Sequence, residues 1–407
     1  MKKESLFVIA DDLTGANDTG IMFAEAGFST ILKMDLASLN TMNLDSAEVF
    51  SISTNSRAIG EQAAEATQQV VSVAIKNGIN QIYLKIDSTM RGSVRYQIQG
   101  ALQAWTNKYP NAKAIICCAY PDMGRTIENG HLLVNGVPVE QTASGQDAIC
   151  PVLSSSMQVL LPDAELLACS TEDELHAQIM ASDKQQFVID AKTSADLNII
   201  ANVINQLGHM AIPVGSAGLA EKLKTPPELS KKKANIPLGR SLILVSSIHE
   251  VSQNQVDKYI ASLGGKSIVF NPAPAQLLNH SVSNEALKQQ LNALIESSSE
   301  NVIIRANPTK YHSSESIHSV AKKIAEYLSE LGLYCLTKQK FDSIILFGGD
   351  GAAALLKKMH VSELELVYAL FPGVPLCRIN DGLYKGIHIV TKSGGFGSLD
   401  LLTDMMK

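Results

Sequence analysis

Short apolar runs alternating with amphipathic segments constrain this chain more than any other feature. In the first half FVIA, STILKM, EVFSIS, QIYLKI, AKAIICC, QFVIDA and MAIPVG read as strands. EQAAEATQQVVSVAIKNG and SADLNIIANVINQLG read as helices that close on a glycine. The alternation restarts with SLILVSS, KSIVF, NVIIRA, DSIILFGG and IHIVT as strands and ESIHSVAKKIAEYLSELG as a helix. Such a pattern predicts an α/β chain of mostly parallel sheets with helices on both faces. At 407 residues the chain exceeds what one core usually holds. Prolines, lysines and a glycine collect in KTPPELSKKKANIPLGR, the composition of a linker. We therefore expect two α/β domains, residues 1–225 and 241–407, joined by a linker over 226–240, with the active-site cleft between them.

Several function classes lose support at once. A net charge of −6 with no extended basic run disfavours nucleic acid as a partner. The start MKKESLF lacks an apolar signal segment and no 18-residue apolar stretch occurs, which points away from membranes and toward the cytoplasm. Six cysteines show no C-x-x-C pair and no zinc spacing, and fit core packing in a reducing compartment.

Chemistry-bearing residues gather where strands end, the edge at which open α/β sheets bind ligands. FVIA breaks into Asp11 and Asp12, followed by Thr14 and Gly15. One Asp would serve as a helix N-cap; the second carboxylate is surplus to that role. Arg57 follows EVFSIS and offers a planar fork suited to an anionic substrate. QIYLKIDSTMRGS places Lys85, Asp87, Ser88, Thr89 and Arg91 together, a density of polar groups costly to bury unless something binds it. HLLVNGVPV reads as a hairpin around Asn135-Gly136.

In the second half a strand runs into Gly348, Gly349, Asp350 and Gly351 and an alanine-rich helix. Glycines there let backbone N–H groups approach an anion at a helix N-terminus. TKSGGFG adds a second glycine-rich loop carrying Lys392. Neither a Rossmann fingerprint nor a P-loop is present: the Gly265-Lys266-Ser267 tripeptide has Ile260 where the earlier glycine belongs.

In order along the chain, IADDLTGAND, TNSR, KIDSTMRG, YPDMGRT with NGHLLVNGVPV, VGSAGLA, FGGDGA, PGVP and TKSGGFG resemble the four-carbon acid sugar kinases. That family uses ATP to phosphorylate the terminal hydroxyl of threonate, erythronate or 3-oxo-tetronate. The resemblance implies a substrate-binding N-terminal domain and a nucleotide-binding C-terminal domain. It places substrate contacts on Asp11 or Asp12, Arg57, and Lys85, Ile86, Asp87 and Ser88. Nucleotide contacts fall on Ser247, on Gly348, Gly349, Asp350 and Gly351, and on Gly394 or Gly395. The chain departs from the family's Gly-Ser-x-Ser turn with Ser246, Ser247, Ile248 and His249.

Arg57 and Lys85 are then expected to hold the substrate carboxylate. Asp12 is the candidate base, ahead of Asp11 and Asp87. Mg2+ is expected with ATP, with Asp350 as a neighbour, and a homodimer is the default assembly. The acidic stretch resembles the threonate and erythronate branch, which favours D-threonate. A nicotinamide-dependent dehydrogenase and a non-catalytic sugar-acid sensor are the rival classes.

Overall fold

The computed structural model describes residues 5–147, 149–223, 236–247, 249–278, 283–296, 299–306, 315–392, 395 and 397–407. The chain divides into two compact units, Met1–Lys231 and Lys232–Lys407. The linker expected over 226–240 lies outside the described residues as far as residue 235.

In the first unit the chain runs β1 (Leu6–Ala10), α1 (Leu13–Glu25), β2 (Thr30–Lys33), β3 (Val49–Ser53), α2 (Gln62–Lys76), β4 (Gln81–Lys85), α3 (Val94–Trp105) and β5 (Lys113–Cys117). A small antiparallel module follows: β6 (Arg125–Glu128), β7 (His131–Val134) and β8 (Val137–Pro138). Its β7–β8 turn is the expected Asn135-Gly136, with φ of 51° and 78°, values that favour asparagine and glycine. Then come α4 (Met157–Leu160), β9 (Glu165–Leu167), α5 (Glu172–Ala181), β10 (Gln186–Ile189), α6 (Ser194–Leu207), β11 (Ala211–Gly215) and α7 (Ala217–Ala220). Capping boxes, Thr171 with Glu174 and Thr193 with Asp196, open α5 and α6.

The main strands lie in the order β2-β3-β1-β4-β11-β5-β10-β9, and the pairs are parallel. β1 is buried along its whole length, as a strand covered on both faces must be, which is why it reads as an unbroken apolar run. The connection from β1 to β2 crosses the sheet one way, and those from β3 to β4 and β4 to β5 cross it the other way. Right-handed crossovers therefore put α1 on one face and α2 and α3 on the other. The packing agrees: α2 lies on α3, and α1 on α7. At β1 and β4, neighbouring strands send their chains to opposite faces, and a crevice opens beyond their carboxyl ends.

The second unit repeats this logic with β12 (Ser241–Val245), α8 (Glu250–Ser262), β13 (Ile268–Phe270), α9 (Pro274–Leu278), α10 (Asn284–Ile295), β14 (Val302–Arg305), α11 (Ile317–Lys338), β15 (Ser343–Phe347) and α12 (Gly349–Lys358). It ends with β16 (Glu363–Phe371), β17 (Val374–Ile379), β18 (His388–Lys392) and α13 (Leu401–Met405). The order is β13-β14-β12-β15-β18-β17-β16, parallel as far as β18, with β17 antiparallel to both of its neighbours. The α8 connection crosses one way and the α11 connection the other, and α12 packs on α11. β12 and β15 thus form the second unit's crevice. Among the described residues no helix is long and apolar enough to cross a membrane.

Candidate functional site

Asp11, only 1% exposed, leaves β1 and is held by Arg57 through two hydrogen bonds, Nε to Oδ2 at 2.6 Å and Nη2 to Oδ1 at 3.0 Å. Arg57 Nη1 lies 2.6 Å from Asp12 Oδ2, and Nη2 lies 3.8 Å from Asp87 Oδ2. The Asp11 carbonyl also accepts the N–H groups of Ser56 and Arg57, so the turn after β3 is tied to the end of β1 twice. Asp12 is the N-cap of α1, its Oδ1 accepting the Gly15 N–H at 2.7 Å. Asp12 thus caps the helix with one oxygen and meets Arg57 with the other.

From β4 the site receives Lys85 and Asp87, both buried. Lys85 Nζ donates to the Ile86 carbonyl at 3.0 Å. Asp87 Oδ1 accepts the Thr89 N–H and hydroxyl, and Oδ2 accepts Arg91 Nε at 3.0 Å and Nη2 at 2.5 Å. Arg91 Nη1 continues to Asp147 at 3.1 Å. Ser88 is half-buried beside this group.

Burial and pairing compete differently at the two buried acids. Burial pushes the Asp11 carboxyl up, and the hydrogen bonds and charge of Arg57 only partly oppose it. Burial acts the same way on Asp87, but Arg91 and Thr89 together outweigh it and hold that carboxyl below its usual 3.8. A depressed carboxyl stabilises the fold fully above its unfolded value, and that stability is lost as pH falls through the folded value. Asp87→Asn should therefore cost about 2 kcal/mol at neutral pH, the scale of hydrogen bonds to a charged group. The deficit should shrink as the pH drops below 3.8. Urea unfolding at neutral and acid pH checks it; a deficit independent of pH would remove Asp87 from the ionised network.

In the second unit the Ser246 and Ser247 N–H groups both donate to the Phe347 carbonyl at 2.9 Å, and the Gly348 N–H donates to the Lys392 carbonyl at 3.0 Å. Among the described residues no side chain caps α12, so the start of the helix could accept an anion. A Cβ on Gly351 would lie 2.2 Å from Ser246 Oγ, while one on Gly349 would meet none of the described residues within 4 Å. Asp350 is exposed in the first turn of α12. Gly395 lies against the His249 ring, and His249 is the N-cap of α8. Gln255 Nε2 donates to the Gly397 and Ser398 carbonyls, fastening the last glycine-rich loop to α8. Lys392 points inward rather than into the loop: it donates to Ser252 Oγ at 3.0 Å and lies over the Phe347 ring, and burial lowers its ammonium to about 8. Gly394 and Ile248 lie outside the described residues.

Residues 6–223 match the family model described as a sugar-binding N-terminal domain, and residues 242–402 match the one described as a nucleotide-binding C-terminal domain. A D-threonate kinase of Bordetella bronchiseptica is 31% identical over 97% of this chain and 95% of its own length. The chain belongs to the four-carbon acid sugar kinase family. A D-erythronate kinase of Heliobacterium modesticaldum is 25% identical over 97% of this chain and 95% of its own. A crystal structure of a Haemophilus influenzae protein covers 98% of both chains with a TM-score of 0.78 at 22% identity, and so shares the fold.

Membership in this family makes the chain an ATP-dependent kinase. Within the kinase's first unit the structure brings together Asp11, Asp12, Arg57, Lys85, Ile86, Asp87 and Ser88. Arg57, expected as an anion clamp, already has its fork filled by Asp11, with Asp12 on its remaining nitrogen. In the second unit Ser247, Gly348 and Gly351 meet at one turn. Arg91, in the polar cluster at the end of β4, and Asp147 also belong to the acidic network. Asp147 alone of the two escapes the sequence reading, since it is 60 residues beyond Asp87 with no local pattern around it.

Proposed function

We propose that this kinase transfers the γ-phosphoryl group of ATP to the terminal 4-hydroxyl of D-threonate. The single observation that carries the reading is the crevice at β1 and β4, where three carboxylates, two arginines and a lysine surround the strand ends. Such a group suits a small, hydroxyl-rich acid: carboxylates accept hydrogen bonds from its hydroxyls, Lys85 offers positive charge to its carboxylate, and Arg57 fixes the acids around it. Asp11, Arg57 and residues 85–88 are the proposed substrate residues. The choice of D-threonate is supported by the Bordetella bronchiseptica relative.

ATP is assigned to the turn of Ser247 with Gly348, Gly349, Asp350 and Gly351, and to the loop holding Gly394 and Gly395. The uncapped start of α12 supports a phosphate there. Among the described residues no three His, Cys, Asp or Glu side chains form a ready-made metal cage. Mg2+ held mainly by phosphate oxygens and water needs only one or two carboxylates, and the exposed Asp350 is the proposed one. When bound, it would neutralise charge on the transferring group. We place the enzyme in the cytoplasm and propose a homodimer, the commonest closed assembly, which sedimentation would test.

The test is ADP release by the purified protein with Mg-ATP and D-threonate, L-threonate, D-erythronate or 3-oxo-tetronate, against a no-acid blank. Turnover should be strongest with D-threonate. A preference for D-erythronate or 3-oxo-tetronate would move the substrate. Silence with all four, with ATP still bound, would favour the sensor.

A further inference from the structure

The acids that flank the crevice are already occupied. Both oxygens of Asp11 accept from Arg57; those of Asp12 face the Gly15 N–H and Arg57; those of Asp87 face Thr89 and Arg91. A carboxylate there takes a proton only against the pull of the arginine already paired with it. One more carboxylate stands at the same edge. Asp18, on α1, is exposed and makes no hydrogen bond among the described residues.

Its position follows from helix geometry. Residues 15 and 18 are three apart and share one face of α1. Gly15 is where Lys85 meets that face: a Cβ there would lie 3.1 Å from Lys85 Nζ and 3.6 Å from Lys85 Cγ. The face carrying Asp18 therefore runs along the ammonium at the end of β4, and Lys85 and Asp12 are its electrostatic neighbours. Tyr120, beyond β5, also feels Asp18, and its hydroxyl donates to Glu221 just past α7. Toward β2, the Lys33 ammonium is tied to the Ser38 carbonyl. Arg57 is spent on Asp11 and Asp12.

We propose that Asp18 is the general base of the phosphoryl transfer, a role that rests on the kinase reading above. The substrate hydroxyl gives its proton to the Asp18 carboxylate as its oxygen bonds to the γ-phosphorus. The bond from that phosphorus to the β–γ bridging oxygen breaks, and ADP leaves with the electron pair. The proton then passes from Asp18 to solvent. Although the Asp18 side chain reaches solvent, the protein packed around it partly strips its carboxylate of water and pushes the carboxyl up to about 6, with Lys85 opposing and Asp12 adding to the rise. An acid titrating there is ionised at neutral pH yet more basic than an ordinary aspartate, the compromise a general base needs.

The experiment compares wild type, Asp18→Asn, Asp18→Glu and Asp12→Asn with Mg-ATP and the acid wild type uses best, across about pH 5 to 9. Wild-type kcat should fall on the acid side near 6. Asp18→Asn should lose on the order of 100- to 10,000-fold in kcat with little change in KM, and should lose that acid limb. Asp18→Glu should restore part of the rate, and an unchanged melting temperature would exclude misfolding. If Asp18→Asn keeps a rate within about threefold and its acid limb, the assignment is wrong. If the limb disappears in Asp12→Asn instead, the base is Asp12. No ADP from wild type with any acid would overturn the kinase reading and this role with it, a result distinct from an active wild type with an active Asp18→Asn.

Discussion

Arg57→Ala is expected to abolish measurable turnover and to destabilise the first unit by about 3 kcal/mol. Exposed ion pairs contribute no more than about 1 kcal/mol, so the magnitude depends on where the partner sits. The Asp11 side chain is fully buried, while Arg57 is about one-quarter exposed. Removing the arginine leaves a buried carboxylate without its two strongest donors, and that is the costly case. The low end of the usual range applies because water reaches the vacated side.

The pH dependence has a definite sign. Asp11 already titrates above 3.8, and without Arg57 it should rise further. A carboxyl raised in the folded state binds protons more tightly folded than unfolded, so stability falls as pH climbs through that interval. The variant should be weakest at neutral pH and recover part of its deficit toward pH 4. Thermal melts should show a loss of roughly 6–12 °C at neutral pH, from about 2–4 °C per kcal/mol for a unit of this size. A loss below about 2 °C would mean that Asp11 is solvated or protonated without its partner. Asp11→Asn combined with Arg57→Ala should be less harmful than the sum of the two, since the double variant leaves no buried charge.

Gly348→Ala is expected to weaken ATP binding by about 10- to 100-fold while sugar-acid binding is retained. Gly348 has φ of 110°, and a Cβ there would lie 2.8 Å from the Ser247 backbone nitrogen. Strain of about 1–3 kcal/mol and a backbone clash act together, so the turn after β12 and the start of α12 must separate. Gly349→Ala makes a sharper probe, because its Cβ meets none of the described residues within 4 Å. It should leave the melting temperature unchanged and still lower ATP affinity, if the open space above α12 is where phosphate lies. Calorimetric titration of both variants with ATP decides it. Wild-type affinity in both would remove the α12 turn from the nucleotide site.

Much of the architecture was legible because parallel strands are buried on both faces and read as unbroken apolar runs. β1 through β5 and β10 through β15 stand out for that reason. The antiparallel pair β16 and β17 did not, because β16 is half-exposed and alternates one residue in, one out. Its signal was the Pro372-Gly373 turn with Gly373 at φ 72°, a pattern more specific than the apolar content on either side. β9, three residues long, is too short to show a period. The pattern ESIHSVAKKIAEYLSELG predicts a stop at Gly332, yet α11 continues to Lys338, since packing outweighs the modest cost of one interior glycine.

For the site, the sequence by itself determined which residue types end each strand: Asp11 and Asp12 after β1, Arg57 after β3, Lys85 and Asp87 at β4, and the glycines after β15. Spacing along the chain carries that information because a strand's last residue is local. Tertiary structure alone decided how those residues pair. Register places Ala10 beside both Ser53 and Lys85, so an arginine 46 residues from Asp11 reaches it and fills its own fork with carboxylates. Charge type is written into the chain, but which charge a group faces, and whether a carboxylate is left open as Asp18 is, depends on the crossings that bring distant strand ends to one edge.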